Sequence, residues 1–239
     1  MGKHPSNVYS LVADVGGTNT RVALANGSKL VPNTVRKYSN ASYAGLETVL
    51  RAYVSDEGDV DCVSACVAVA GPVRDGVGEL TNLDWHIDKD TLIRATKAEN
   101  VAILNDLQAQ GYAVGHVDSA NLDTILAGQP ATAAASKLVV GVGTGFNTAP
   151  VIETLDGRVV PASESGHATL PTLTDQDHAL AAFVSEEHGF PSIEDVLSGR
   201  GIENVYRFVC AQHGGGDPLQ AHEIMAACDD KHPLAMETV

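Results

Sequence analysis

Apolar, β-prone runs open the chain at 8–13, 21–25 and 31–37, and the turn-forming residues between them predict an antiparallel meander. From 43 to 54 the spacing becomes helical, with Leu46, Val49, Leu50 and Val54 on one face. The run 62–70 is apolar at nearly every position, as a strand buried on both faces should be. Asp88 or Asp90 then offers a cap for a helix ending near Thr96, and 101–104 makes a short strand that stops at Asn105-Asp106. Asp106 is expected to cap the helix that begins near Leu107.

Bulky side chains thin out in GQPATAAAS, from Gly128 to Ser136, which marks a connection between two lobes, 1–130 and 131–239. Beyond it, LVVGVGTGFNTAPVI at 138–152 repeats the apolar–glycine–apolar plan of the opening strands. Helical patterns follow at 174–188, 193–198, 201–213 and 217–228, without another strand, so the second lobe reads as the less complete of the two.

Hydrophobic residues at 44% and charged residues at 19% describe a folded globular chain of 239 residues. Thirty acidic against fifteen basic side chains give a net charge of −15, which opposes nucleic acid and anionic membrane surfaces as partners. Small phosphorylated ligands stay open, since backbone N–H groups and a cation hold phosphate locally. Four scattered cysteines form neither a disulfide framework nor a zinc motif. The first ten residues lack a signal-like apolar core, and no run of about 18 apolar residues occurs, so a cytoplasmic protein is expected.

Three places carry candidate chemistry. In Asp14-Val-Gly16-Gly17-Thr18-Asn19, the glycines permit positive φ and close approach of N–H groups to a ligand, while Asp14 is suited to hold Mg²⁺ through water. The same residues suit a plain hairpin turn equally well. Gly143-Thr144-Gly145 is as ambiguous alone, and neither loop has a Walker pattern or a following helix. Asn105-Asp106 offers an amide and a carboxylate at a strand end, where a sugar hydroxyl could be bound and deprotonated. Glu164-Ser-Gly-His167 and Glu194 add hydrogen-bonding groups suited to a polyol, although a lone His167 or Glu194 would be unremarkable as a structural residue.

Taken in order, ADVGGTNTRVAL, VAVAGPVRDGVGELTNLDW, ILNDLQAQGYAV, VGVGTGFNTAPVI, ESGH and EDVLSGRGIENVYRF resemble the bacterial ATP-dependent glucokinases of the non-ROK type. That resemblance implies an α/β fold of the actin-like ATPase class, ribonuclease H-like, with two lobes closing over sugar and nucleotide. It implies transfer of the γ-phosphoryl group of ATP, with Mg²⁺, to the 6-hydroxyl of glucose. It further implies Asp106 as catalytic base, Asn105, Glu164, His167 and Glu194 as glucose ligands, and a homodimer. Gly16, Gly17, Thr18 and Asn19 correspond to its first phosphate loop, and Gly143, Thr144 and Gly145 to its second.

The match has departures. Asn147 stands where the family usually has glycine, and the family continues past residue 239 with an adenosine-binding segment. Apolar surface left uncovered and ATP handling weaker than sugar recognition are therefore expected. Rival readings are a kinase for another hexose, of the ROK type but without its cysteine-rich zinc motif, and a non-catalytic sugar-binding protein.

Overall fold

The computed structural model describes residues 4–80 and 83–239, which leaves Thr81 and Asn82 of the second motif outside the described residues. The chain divides into two units, Met1–Ala133 with Arg158–Ala162, and Ala134–Gly157 with Ser163–Val239.

In the first unit, β1 (Tyr9–Val15) and β2 (Asn19–Asn26) form the expected hairpin, with Asp14 opposite Arg21 and Val15 opposite Thr20. The expected strand at 31–37 does not form as one piece. Two short strands, β3 (Lys29–Leu30) and β4 (Arg36–Ser39), both pair with β2. Pro32 has no N–H to donate to a ladder, and Asn33 turns the chain with φ of 61°.

Helix α1 (Leu46–Asp56) buries Leu46, Val49, Leu50 and Tyr53. Tyr53, not Val54, completes the inner face, because its ring fills the core while its hydroxyl donates to Thr34 O at 2.9 Å. Strand β5 (Cys62–Val69) follows, then a three-stranded sheet of β6 (Val73–Arg74), β7 (Val77–Leu80) and β8 (Leu83–Ile87) that the periodicity did not announce. Its first turn is Asp75-Gly76, both at positive φ, a hairpin signal hidden by the shortness of the flanking strands. Helix α2 (Lys89–Thr96) is capped by Asp88, whose carboxylate accepts from Thr91 N at 2.7 Å. Strand β9 (Asn100–Asn105) leads directly into α3 (Asp106–Ala113).

The main sheet runs β3-β2-β1-β5-β9, with β4 on β2. Strands β1, β5 and β9 are parallel, Asp14 lying beside Ala68 and Val69 beside Asn105. Parallel pairing aligns the carboxyl ends of these strands, the edge where open α/β sheets hold ligands. Leu11, Val15, Leu24, Leu50, Val67, Val69, Ile87 and Leu92 fill the core between this sheet and its helices.

The second unit begins with β10 (Lys137–Val142) and β11 (Phe146–Thr154), antiparallel with Val142 opposite Phe146, and the chain continues through β12 (Gly157–Val159). Helices α4 (Asp175–His188), α5 (Gly199–Gln212), α6 (Ala221–Asp229) and α7 (Pro233–Thr238) complete it. No helix forms at 193–198. There the Ser192 hydroxyl donates to Asp195 Oδ2 at 2.6 Å and Ser198 Oγ accepts from Gly201 N at 2.9 Å, so the segment folds as a turn that starts α5. Pro218 disfavours helical geometry before it, and α6 starts only at Ala221. Tyr206, Cys210, Ile224 and Ala235 join α5, α6 and α7.

One face of β10 leaves Leu138, Val140 and Val142 exposed at 60%, 48% and 66%. Among the described residues, no helix is long and apolar enough to cross a membrane. The fully buried Leu50 ties α1 to the first unit's core. Leu50→Ala is expected to lower unfolding free energy by about 2–5 kcal/mol, read as a lower urea midpoint.

Candidate active site

The end of β9 places two polar side chains where the parallel strands finish. Asn105, not Asp106, caps α3. Its Oδ1 accepts from Leu107 N at 2.9 Å, and its own N–H donates to Gln108 Oε1 at 3.1 Å, closing a capping box. The Asn105 Nδ2 donates to Gly71 O at 3.0 Å, which ties the loop after β5 to the end of β9.

Asp106 is then the first residue of α3, half-buried, with Oδ1 accepting from Leu107 N at 2.7 Å. Burial pushes its carboxyl above the usual 3.8, the Asp14 carboxylate adds to the rise, and hydrogen bonds from Leu107 and Asn105 hold it partly back. A carboxylate so placed attracts protons more strongly than a free one, as a general base requires. The helix behind it is anchored at both ends of its single face. Gln108 Nε2 donates to Val160 O at 2.9 Å, and the Arg158 guanidinium donates to Tyr112 O at 2.8 Å, satisfying a C-terminal carbonyl of α3.

The first glycine loop turns tightly, with Gly16 N donating to Asn19 O at 3.0 Å. Neither Gly16 nor Gly17 has positive φ, so conformational freedom of that kind is not why glycine stands there. A buried residue missed by sequence reading holds the loop. Asn40 Nδ2 donates to Gly16 O at 2.7 Å, Asn40 Oδ1 accepts from Thr20 Oγ1 at 2.8 Å, and Asn40 N donates to Thr18 O at 2.9 Å. Gly17 and Thr18 stay exposed at the tip. Asp14, also exposed, meets Arg21 Nη1 at 3.1 Å, a pair that water screens.

In the second unit, three stretches distant in sequence meet. Gly143 N donates to Gly145 O at 2.9 Å, and Gly199 N at the start of α5 donates to Gly143 O at 2.7 Å. Glu194 Oε2 accepts from Phe146 N at 2.9 Å while Oε1 pairs with Arg200 Nη2 at 2.6 Å, and Glu194 N donates to Gly166 O at 2.9 Å. A methyl at Gly145 would lie 2.5 Å from Glu194 Oε2, and one at Gly166 would collide with Phe146 O. These glycines allow close approach; Gly143 and Gly145, like the first loop, lack positive φ. Glu164 and His167, both exposed, are the residue before and the last residue of the short helical turn Ser165–His167, whose Gly166 belongs to this junction. The structure thus gathers Asp14, the first loop, Asn105 and Asp106 within the first unit, and the second loop, Glu164, His167 and Glu194 within the second.

The glucokinase family model matches residues 11–239. A glucokinase of Brucella suis is 31% identical over 96% of this chain and 67% of its own length. One from Sinorhizobium fredii is 32% identical over 99% of this chain and 70% of its own. A glucokinase crystal structure from an Antarctic psychrotroph superposes with a TM-score of 0.84 at 33% identity, covering 97% of this chain and 74% of that one.

The raised Asp106 carboxyl has a consequence for stability. The folded state holds this proton more tightly than the unfolded state, so the contribution is complete below the ordinary 3.8 and is lost as pH rises through the folded value. At neutral pH the ionised Asp106 therefore works against folding. Asp106→Asn, which keeps an acceptor for Leu107 N, is expected to melt at a higher temperature than the wild type at neutral pH. Calorimetry should show that advantage vanishing once the pH drops below the ordinary carboxyl value.

Proposed function

We propose that this chain, which belongs to the glucokinase family, transfers the γ-phosphoryl group of ATP to the 6-hydroxyl of glucose. The chain is an ATP-dependent hexose kinase of the actin-like fold class. The observation that carries the residue assignment is Asp106, a half-buried carboxylate with raised proton affinity at the carboxyl end of a parallel sheet.

In this reading Asp106 accepts the proton of the 6-hydroxyl as the oxygen attacks phosphorus. Asn105 holds the sugar beside it, and Glu164, His167 and Glu194 hydrogen-bond the remaining hydroxyls. Several directed partners discriminate a polyol well, because a wrong epimer leaves buried polar groups unpaired. Glu194 keeps lone pairs for that task although both its oxygens already have partners.

Gly16, Gly17, Thr18 and Asn19 hold phosphate oxygens through backbone and hydroxyl donors, as do Gly143, Thr144 and Gly145. Phosphoryl transfer has a loose transition state, so such positioning and charge stabilisation supply most of the catalysis. The donor set fits Mg²⁺: Asp14 is an exposed, hard carboxylate close enough to Asp106 to raise it, an arrangement a dication would relieve. Asp14 would hold the ion through water, and the ion would neutralise phosphate charge.

A coupled assay with ATP and glucose, mannose, fructose or N-acetylglucosamine tests the assignment, with glucose binding measured separately by calorimetry. Glucose should be the preferred acceptor, and Asp106→Asn should lower kcat by about 10²–10⁴-fold while retaining glucose binding. Undiminished turnover in that variant would remove Asp106 from the role of base.

A further inference from the structure

Glu164 has an exposed carboxylate with no hydrogen bond to hold it among the described residues, so its place is set by its backbone alone. That backbone is held on both sides by one side chain from β11. Asn147 Nδ2 donates to the carbonyl of Ser163, the residue before Glu164, at 2.5 Å. Asn147 Oδ1 accepts from the amide of Ser165, the residue after it, at 3.0 Å, and from Ser165 Oγ at 3.2 Å. The Ser165 hydroxyl also meets Thr148 Oγ1 at 2.8 Å, so two consecutive β11 residues grip the same loop.

We propose that Asn147 is a positioning residue for sugar recognition, setting the Glu164 carboxylate against its substrate hydroxyl by bracketing the peptide units on either side. This rests on the assignment of Glu164 to glucose binding above. The carboxamide suits the task because it donates at one end and accepts at the other, matching a carbonyl and an amide that face the same way. Asn147 follows Phe146, whose amide is held by Glu194, so the bracket begins two residues beyond the second glycine loop. Neighbouring residues of β11, Phe146 and Asn147, thereby hold Glu194 and the loop that carries Glu164.

Asn147→Gly removes the bracket and leaves β11 intact, whereas Asn147→Asp keeps the acceptor for Ser165 and loses the donor to Ser163. Amide hydrogen exchange and steady-state kinetics on both variants test the role. In Asn147→Gly, exchange at Ser165 should speed up about tenfold or more while amides paired between β10 and β11 keep their rates, which also establishes that the variant is folded. The KM for glucose should rise about tenfold, with kcat and the KM for ATP changed less than about twofold, and Asn147→Asp should fall between the two. An unmoved KM for glucose alongside faster exchange at Ser165 would overturn the positioning role. So would a rise in the KM for ATP as large as that for glucose, or unchanged exchange at Ser165. A wild-type protein that neither binds nor phosphorylates glucose would overturn the functional reading beneath it, while the exchange measurement still reports on the bracket.

Discussion

A carboxylate drawn partly out of water, with a second carboxylate nearby, is disfavoured in its charged form, and a fold keeps one there only by surrounding it with rigid supports. Asp106 is in that position. The parallel pairing of β1, β5 and β9 brings Asp14 and the Asn105-Asp106 step to the same edge of the sheet. Asn105 caps α3 through Oδ1 and reaches Gly71 O with one of its two Nδ2 hydrogens, and Gln108 and Arg158 fasten the helix from behind. Desolvation raises proton affinity, the supports keep the group from relaxing into water, and the result is a base set into a frame.

The same economy of polar side chains governs both glycine loops. Asn40 grips the first through three hydrogen bonds from a buried position, and Glu194 grips the second through Phe146 N. Asn40 is thus one residue from outside the first loop that organises it, while Glu194 shares the second with the Gly199 amide, and Gly17, Thr18, Gly143 and Thr144 stay exposed. Preorganised donors need no rearrangement when phosphate arrives, which is where electrostatic stabilisation gains most.

Much of this was legible in the chain. Alternation and apolar runs announced β1, β2, β5 and β9, and the polar Asn105-Asp106 step at the end of an apolar strand pointed to the edge where chemistry gathers. The order of six motifs identified the family before any geometry. What stayed hidden was long-range. Asn40, Asn147 and Arg200 lie outside any periodic pattern, and their partners are 24, 16 and 6 residues away. Capping also deceived: Asp106 and Asn105 are both good caps, and only the Gly71 and Gln108 contacts decide for Asn105. Gly16 and Gly17 were read as sources of positive φ and lack it, whereas Gly145 and Gly166 in the second unit are places where a side chain would collide.

Titration of the Asp106 carboxyl by carbon-detected NMR in the protein free of nucleotide and of added Mg²⁺, in the wild type and in Asp14→Asn, tests the central claim most directly. The wild-type midpoint should lie above the ordinary carboxyl value of 3.8, and removing the Asp14 charge should move it to lower pH. A midpoint at or below that value, or one that stays in place when Asp14 is neutralised, would contradict the account of Asp106 as a base tuned by burial and by its neighbour.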